Sequence, residues 1–300
     1  MVVLVTGGSG FVGRHVLTCL AQSGNEIHAT FNTARRSLTK GVVWHQTDLL
    51  NAESRWNLLA RVRPSHLIHL AWYVTPNKYW TAQENACWLR ASLELLTEFS
   101  RLGGRRAVIT GTCAEYSWSS GGFLREDETP MAPSSLYGAC KQALSSVALH
   151  LAKELGISIG CGRIFFPYGP GEQPERLVPS VVLSLLRGQP ALCTLGRQIR
   201  DYIYVADVAA ALTVLLKSEF TGSVNIGTGT GLLVADMVLL IGNALGRPDL
   251  IRLGALPTRS GEPDVLIADT ERLIAIGFVP RYTPERGIQE TIDSWKHQVG

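Results

Sequence analysis

A glycine-rich turn near the N-terminal end of the sequence constrains the fold of this chain more than any other feature. In Thr6-Gly7-Gly8-Ser9-Gly10-Phe11-Val12-Gly13, glycines recur three residues apart, at positions 7, 10 and 13. The turn follows an apolar run, Val2–Thr6, that predicts a buried strand, and opens a segment of helical periodicity over residues 11–23. The first N–H groups of a helix have no partner inside the helix, and glycine allows a pyrophosphate to approach them closely. The turn therefore predicts a dinucleotide site.

Short apolar runs alternate with helix-period segments through the first half of the chain. Strands are predicted at 2–6, 26–30, 66–70, 107–110 and 157–162, and helices at 11–23, 51–61, 82–102 and 136–155. This alternation is typical of βαβ units in an α/β fold, with a parallel sheet covered by helices on both faces. Beyond residue 165 the segments are smaller and mixed, with helices predicted at 177–186, 206–216 and 234–245, a strand at 223–226 and a final helix from Pro284. Four prolines between 167 and 179 suggest a surface insertion.

Composition excludes several classes of protein. The 300 residues are 46% hydrophobic and 18% charged, which is unlike a disordered chain. The net charge of +3 provides no basic face for nucleic acid. The six cysteines are widely spread without a C-x-x-C pair, so we expect reduced thiols and no metal site. No apolar window approaches the roughly 18 residues of a membrane span, and we expect a cytoplasmic protein.

The end of the second predicted strand bears on the choice of cofactor. NAD sites commonly place an Asp or Glu there to bind the ribose hydroxyls. The stretch from Ala29 to Arg36 contains no acid, but carries Asn32 and two arginines, Arg35 and Arg36. An arginine can chelate a 2′-phosphate, which an acid would repel. NADP(H) is therefore favoured over NAD(H), although both arginines could also be solvated loop charges.

Tyr137 and Lys141 form a candidate catalytic pair at the start of a predicted helix. Their i, i+4 spacing places both on one helix face. A nearby ammonium favours the phenolate, and a tyrosine tuned in this way can exchange a proton with a carbonyl or alcohol while hydride moves. The Y-x-x-x-K pattern is weak alone, but it becomes specific together with the glycine turn upstream.

With these two motifs, the sequence resembles the extended short-chain dehydrogenases/reductases of the nucleotide-sugar epimerase/dehydratase/reductase family. The resemblance spans nearly the whole chain. It extends to Asp48-Leu49, to His69-Leu70-Ala71, to Arg163 through Gly171, to Arg200 through Val208, and to Asn225-Ile-Gly-Thr-Gly229. It implies a Rossmann doubly wound sheet in residues 1–165 and a smaller C-terminal α/β substrate domain in residues 166–300, with segments around 200–230 returning to the first domain. It also implies a homodimer formed through helices 82–102 and 136–155.

The resemblance also implies roles for individual residues. Thr112, four residues before Tyr116, takes the position of the family's catalytic Ser or Thr beside Tyr137 and Lys141, and Glu115 and Tyr116 are expected to shape the same pocket. The implied cofactor-binding residues are Gly7, Gly10, Phe11, Val12, Gly13, Asn32, Arg35, Arg36, Asp48, Leu49, Leu70, Ala71, Tyr137, Lys141 and Pro167. The implied substrate-binding residues are Thr112, Phe166, Arg176, Val178, Arg200, Arg259 and Glu262. Phe166 departs from relatives, which often carry Asn there. Trp72, Tyr73, Tyr79 and Trp80 are either walls of the site or packing residues.

Three chemistries of this family can be weighed on the sequence. The related 4,6-dehydratases use an Asp-Glu pair after the Thr as acid and base. This chain has Cys113, a poor acid at neutral pH, and Ala114, which has no proton to give, so a 4,6-dehydratase is disfavoured. A 4-epimerase would retain NAD and return the hydride, whereas a 4-keto reductase would consume NADPH. Arg35 and Arg36 and the local sequence around Thr112 favour a reductase acting on a nucleotide-linked 4-keto-6-deoxyhexose, in deoxysugar biosynthesis. The alternatives are a nucleotide-sugar 4-epimerase and, less favoured, a non-catalytic NADP-binding sensor.

Overall fold

A parallel sheet of seven strands forms the centre of the molecule in the computed structural model, which describes residues 1–22, 24–33, 39–258 and 261–299. The strands lie in the order β12-β7-β5-β4-β1-β2-β3. Their bounds are Val2–Thr6 (β1), Glu26–Phe31 (β2), Val42–Gln46 (β3), His66–His69 (β4), Arg106–Thr112 (β5), Ser158–Ile164 (β7) and Gly222–Ile226 (β12). The order runs outward from β1 in both directions, so the sheet is doubly wound, as the alternation of the sequence predicts.

Helices cover both faces of this sheet. The helices are Phe11–Ala21 (α1), Ala52–Val62 (α2), Glu84–Arg101 (α3), Leu136–Leu155 (α4), Leu177–Leu186 (α5), Val205–Lys217 (α6), Val234–Ala244 (α7), Glu271–Ala275 (α8) and Pro284–Val299 (α9). On one face α1 and α6 bury apolar side chains against the sheet, among them Leu17 and Leu212. On the other face α2, α3 and α4 do so, with Leu59, Leu96 and Leu144. Removing these side chains from water is the main stabilising term.

Short strands outside the central sheet and a third apolar core complete the fold. The remaining strands are Phe123–Leu124 (β6), Phe166–Tyr168 (β8), Ala191–Leu192 (β9), Ile199–Arg200 (β10), Tyr202–Tyr204 (β11), Leu232–Leu233 (β13), Ile251–Arg252 (β14) and Val265–Ala268 (β15). They form a four-stranded sheet in the order β13-β10-β15-β6 and two pairs, β11-β8 and β14-β9. Helices α5, α7 and α9 pack together beside them around Val182, Ile241 and Ile292.

The expectation of a surface insertion after residue 165 is wrong. Pro167 lies in β8, which pairs with β11, and Tyr168 is buried in the third core. Proline is tolerated here because β8 has a single partner strand in its two-stranded sheet, so one edge needs no N–H donor. None of the helices in the described ranges is both long and apolar enough to cross a membrane.

Candidate active site

The glycine turn connects β1 to α1 at the carboxyl edge of the sheet. Gly7 adopts a φ of 68°, in the left-handed region that favours glycine, and its N–H donates to Thr30 Oγ1 at 3.1 Å. A Cβ at Gly7 would lie 2.9 Å from the Ala71 nitrogen, and one at Gly13 would overlap the Gly7 carbonyl oxygen. Because α1 begins at Phe11, the N–H groups of its first turn have no intrahelical partner. The turn thus fits the pyrophosphate of a dinucleotide.

A buried hydrogen-bond chain fixes the next strand end against this turn. Thr6 Oγ1 accepts from the N–H groups of Leu70 and Ala71, at 3.2 and 3.3 Å. Its own proton is then directed to Nδ1 of His69, 2.7 Å away, which leaves Nε2–H of His69 to donate to Ser92 Oγ at 2.8 Å. Burial, together with the charge of Lys141, lowers the pKa of His69 to about 3, so the imidazole is neutral. Leu70 and Ala71 are held beside Gly7 as a result.

The other predicted cofactor residues fall around the same edge. Asn32 is exposed just after β2, and its carbonyl oxygen accepts from Gln46 Nε2 at 3.1 Å. Asp48 is also exposed and its Oδ1 accepts from the Leu50 N–H at 3.0 Å, while Leu49 is buried. Pro167 lies in β8, and three residues later the Pro170 carbonyl oxygen lies 2.9 Å from Nε2 of His15 in α1. Arg35 and Arg36 lie outside the described residues.

Thr112 ends β5 and begins a turn of 3₁₀-helix at Cys113–Glu115. Its Oγ1 accepts from the Ala114 N–H at 3.3 Å, and Glu115 Oε1 accepts in return from the Thr112 N–H at 2.8 Å. This reciprocal capping holds the Thr112 backbone and side chain in one orientation. Helix α4 packs against the same turn so closely that a Cβ at Gly138 would overlap the Ala114 carbonyl oxygen. The Y-G-x-x-K segment therefore needs glycine after its tyrosine.

Tyr137 and Lys141 project from the first two turns of α4 toward Thr112. Ser135 caps the helix by accepting from the Gly138 N–H at 3.1 Å, and the Tyr137 N–H donates to the Trp80 carbonyl at 3.1 Å. The Lys141 ammonium donates to the Thr110 carbonyl at 2.8 Å and lies 4.0 Å from the centre of the Trp72 ring. The predicted catalytic residues Thr112, Tyr137 and Lys141 are thus brought together.

Burial sets the protonation states in this cluster. It lowers the pKa of Lys141 to about 8, an effect that the negative charge of Glu115 opposes. Burial raises the pKa of the Tyr137 phenol, while a hydrogen bond with Thr112 opposes that shift. Burial also raises the pKa of Cys113 to about 12. At neutral pH the site therefore holds a neutral phenol, an ammonium and a neutral thiol.

Three aromatic rings line one side of Tyr137. Tyr79 and Trp80 stack with ring centres 4.6 Å apart, and both meet the Tyr137 ring edge-on, at 4.9 and 5.8 Å. Trp118 continues the row at 5.8 Å from Trp80. Trp72 instead lies below Lys141 with its Nε1–H donating to Asn85 Oδ1 at 2.8 Å. Of the aromatic cluster after the third predicted strand, Tyr79 and Trp80 contact Tyr137.

Among the predicted substrate residues, Arg200 lies against Phe166 and Arg176 lies beside Tyr79. Arg200 is buried, with its guanidinium 5.5 Å from the centre of the Phe166 ring and Nη1 donating to the Ile199 carbonyl at 2.9 Å. Arg176 Nη1 lies 3.5 Å from the Tyr79 hydroxyl, close to the catalytic cluster. The remaining three predicted residues are placed as follows: Glu262 is exposed and accepts from Gln198 Nε2 at 2.7 Å, Val178 is buried in the third core, and Arg259 lies outside the described residues.

A buried polar network behind Thr112 was only partly anticipated by the sequence. Glu115 is fully buried and its Oε2 accepts from Arg163 Nε at 3.0 Å. Arg163 Nη1 donates to the Tyr116 hydroxyl at 2.9 Å, which in turn donates to Asn225 Oδ1 at 2.7 Å. The motifs that begin at Arg163 and Asn225 indicate two members of this network. The spacing of a motif does not show which residues its members contact. The network ties β7 and β12 to the turn that carries Thr112.

Comparisons with known proteins agree with this architecture. A model of the NAD dependent epimerase/dehydratase family matches residues 3–227. A CDP-abequose synthase from Salmonella typhimurium is 25% identical, over 97% of this chain and 97% of its own. A UDP-glucose 4-epimerase from Corynebacterium glutamicum is 28% identical, over 98% and 95%.

A solved structure extends this agreement to three dimensions. The UDP-glucose 4-epimerase of Thermus thermophilus, in complex with NAD, superimposes with a TM-score of 0.87 at 27% identity, over 99% of each chain. The doubly wound sheet with its flanking helices is therefore shared with that epimerase. This chain belongs to the NAD dependent epimerase/dehydratase family.

Proposed function

We propose that this protein is an NADPH-dependent reductase that converts the 4-keto group of a nucleotide-linked 4-keto-6-deoxyhexose to an alcohol. The observation that carries the proposal is the cluster of Thr112, Tyr137 and Lys141 with a neutral thiol and a methyl group, Cys113 and Ala114, beside it. This cluster can move one proton at a carbonyl oxygen, but it lacks the acid and base that elimination of water requires.

The chemistry divides between cofactor and protein. A dinucleotide held through its pyrophosphate at the glycine turn would supply the hydride from its nicotinamide. Tyr137 donates its proton to the oxygen that develops negative charge, and the raised pKa of its phenol keeps that proton available at neutral pH. Thr112 orients the carbonyl oxygen through its hydroxyl. Lys141 stabilises the phenolate left on Tyr137, because its ammonium lies on the same helix face and is shielded from water.

The preference for NADPH rests on the segment after β2. That segment has Asn32 where NAD sites commonly carry an acid, followed by Arg35 and Arg36. The family name and the NAD-bound Thermus relative point to NAD instead. We expect kcat/KM for NADPH to exceed that for NADH by at least about tenfold, and replacing both arginines with alanine to remove the difference. Equal use of both cofactors by the wild type would refute the preference.

A nucleotide-sugar 4-epimerase is the second candidate, favoured by the Corynebacterium relative. The two activities differ in their cofactor balance. Incubation with NADPH and CDP-, UDP-, GDP- or dTDP-linked 4-keto-6-deoxyglucose should oxidise one NADPH for each sugar reduced. Interconversion of UDP-glucose and UDP-galactose without net change in nicotinamide absorbance would support the epimerase. The Salmonella relative, named for a CDP-linked sugar, makes the CDP compound the first substrate to test.

We further propose a cytoplasmic homodimer formed through α3 and α4. The two helices pack side by side, and the outer face of α4 exposes small and apolar side chains, among them Ser146 and Val147, of which Val147 is 45% exposed. Six free thiols suit a reducing compartment. Val147→Glu should halve the mass measured by light scattering, whereas a monomeric wild type would refute the dimer.

A further inference from the structure

Glu172 is a buried carboxylate with incomplete pairing, in the loop between β8 and α5. Its side chain is only 8% exposed. Oε1 lies 3.6 Å from Arg176 Nε, whereas Oε2 is buried without a hydrogen-bond partner among the residues that the structure describes. Burying a carboxylate with one oxygen unpaired is unfavourable unless the group takes up a proton. Burial accordingly raises the pKa of Glu172 to about 8, although Arg176 opposes the shift.

Arg176, its ionic partner, is held by two long contacts. The second of these joins Nη1 to the Tyr79 hydroxyl at 3.5 Å, and the side chain is 42% exposed. Charge-assisted hydrogen bonds of good geometry are about 2.7–2.9 Å long, so both contacts are weak for a guanidinium. Tyr79 itself packs against Tyr137, at 4.9 Å between ring centres. Arg176 therefore lies at the edge of the catalytic cluster with part of its hydrogen-bonding capacity open to a ligand.

We propose that Arg176 exchanges Glu172 for the diphosphate of the substrate, and that Glu172 takes up one proton as it loses the arginine. The proposal rests on the proposed function in one respect, that the ligand is a nucleoside diphosphate sugar. A diphosphate offers two adjacent oxygens in the geometry that guanidinium binds bidentately, which the long contact to Glu172 does not. A buried carboxylate without its counter-ion is then more stable as the neutral acid.

No other described cation replaces Arg176 as the partner of Glu172. From β11, Tyr202 faces the carboxylate with a phenol whose pKa is raised by burial, so it remains neutral. From α1, Arg14 packs against Gly171 and donates Nε–H to the Gly10 carbonyl at 3.3 Å. Within the loop, Gly169 supplies a backbone hydrogen bond that favours the charged form. The charge of Glu172 therefore depends on whether the Arg176 guanidinium contacts its carboxylate.

The exchange couples ligand binding to pH with a defined sign. Below the pKa of about 8, Glu172 is already largely protonated, so ligand binding takes up only a small fraction of a proton. Above pH 8 the free protein holds a carboxylate, and binding takes up a proton. Affinity therefore falls as pH rises above 8, and Kd increases by up to about tenfold for each pH unit.

Calorimetric titration with UDP and CDP between about pH 7 and pH 9, in buffers of different ionisation enthalpy, tests this coupling. The wild type should take up close to one proton at the alkaline end. Glu172→Gln should bind as the wild type does at pH 7 and keep that affinity at pH 9. Glu175→Gln, which removes an exposed acid from the same loop, should behave as the wild type. Lys141 also titrates near pH 8 but is present in every variant, so the difference between them isolates Glu172.

Each contrary result has its own meaning. An equal pH slope in wild type and Glu172→Gln would overturn the exchange while leaving the proposed function intact. Loss of binding in Glu172→Gln at pH 7 would also overturn it, because the carboxyl group would then contact the nucleotide directly. Failure of every nucleoside diphosphate to bind the wild type at any pH would refute the proposed function together with the exchange.

Discussion

Replacing Gly138 with alanine tests whether contact between α4 and the catalytic turn sets the geometry of the site. The new Cβ would overlap the Ala114 carbonyl oxygen and lie 2.9 Å from Pro133 Cβ. Ordinary carbon contacts begin near 3.5 Å, so relief requires roughly an ångström of movement between the helix and the turn. Tyr137 precedes Gly138 and Thr112 begins the turn, so this movement separates the two hydroxyls.

The expected magnitudes separate stability from activity. Alanine improves helix propensity by about 1 kcal/mol, and overpacking costs about 1–3 kcal/mol, so the net loss is about 0–2 kcal/mol and Tm falls by only a few degrees. A misplacement of about 1 Å between reacting groups lowers kcat about 100-fold, which corresponds to about 2.7 kcal/mol in the barrier.

The assay compares steady-state NADPH oxidation with the thermal unfolding midpoint and with NADPH binding by fluorescence. Asn57→Ala, an exposed position on α2 outside the proposed dimer face, is the control and should keep full activity. Wild-type kcat in Gly138→Ala would show that catalysis tolerates separation of the turn and the helix, and that this contact does not set the geometry of the site. A fall in the unfolding midpoint that accounts for the lost activity would also contradict it, since the overlap would then disrupt the fold and not the site alone.

Three further outcomes are expected from the same cluster. Tyr137→Phe should retain NADPH binding and lose about 10²–10⁴-fold in kcat, measured by initial rates; unchanged kcat would remove Tyr137 from the mechanism. Because Glu115 raises the pKa of Lys141, kcat should fall as pH rises through about 8, and Glu115→Gln should move that limb to lower pH; an unmoved limb would contradict the assignment. Arg163→Met leaves the buried Glu115 carboxylate without its cationic partner, so urea unfolding should show a loss of about 3–5 kcal/mol, and a smaller loss when Glu115→Gln is added; equal losses would show that the pair is not coupled.

Local patterns predict most of the central sheet, because buried strands read as apolar runs between turn residues. Six of its seven strands are predicted in the right places, and β3 is the exception. Val42–Gln46 lies at the sheet edge, where Val43 is 50% exposed and the run is short and mixed. The two-residue strands outside the central sheet are not predicted either. Their pairing joins segments up to about 140 residues apart, so no local sequence pattern marks them.

The candidate site also contains some residues that local sequence patterns predict and others that they do not. Tyr137 and Lys141 are predicted because helical spacing alone places them on one face. The contact of Lys141 with Trp72 and the pairing of Glu115 with Arg163 arise from packing between distant elements, which spacing does not encode. Glu172 carries no sequence signal at all, since an acid in a proline-rich loop is ordinarily a solvated charge. Its importance follows only from its burial.

Transfer of isotope from the cofactor to the sugar tests whether this protein is a 4-keto reductase. The protein is incubated with NADPH deuterated at the nicotinamide C4 and with CDP-4-keto-6-deoxyglucose, and the sugar product is analysed by NMR and mass spectrometry. We expect one deuterium at C4 of the sugar for each NADP formed, and no transfer in Tyr137→Phe. Recovery of the 4-keto sugar unreduced, with no NADPH consumed, together with interconversion of UDP-glucose and UDP-galactose that gain no deuterium, would contradict a reductase.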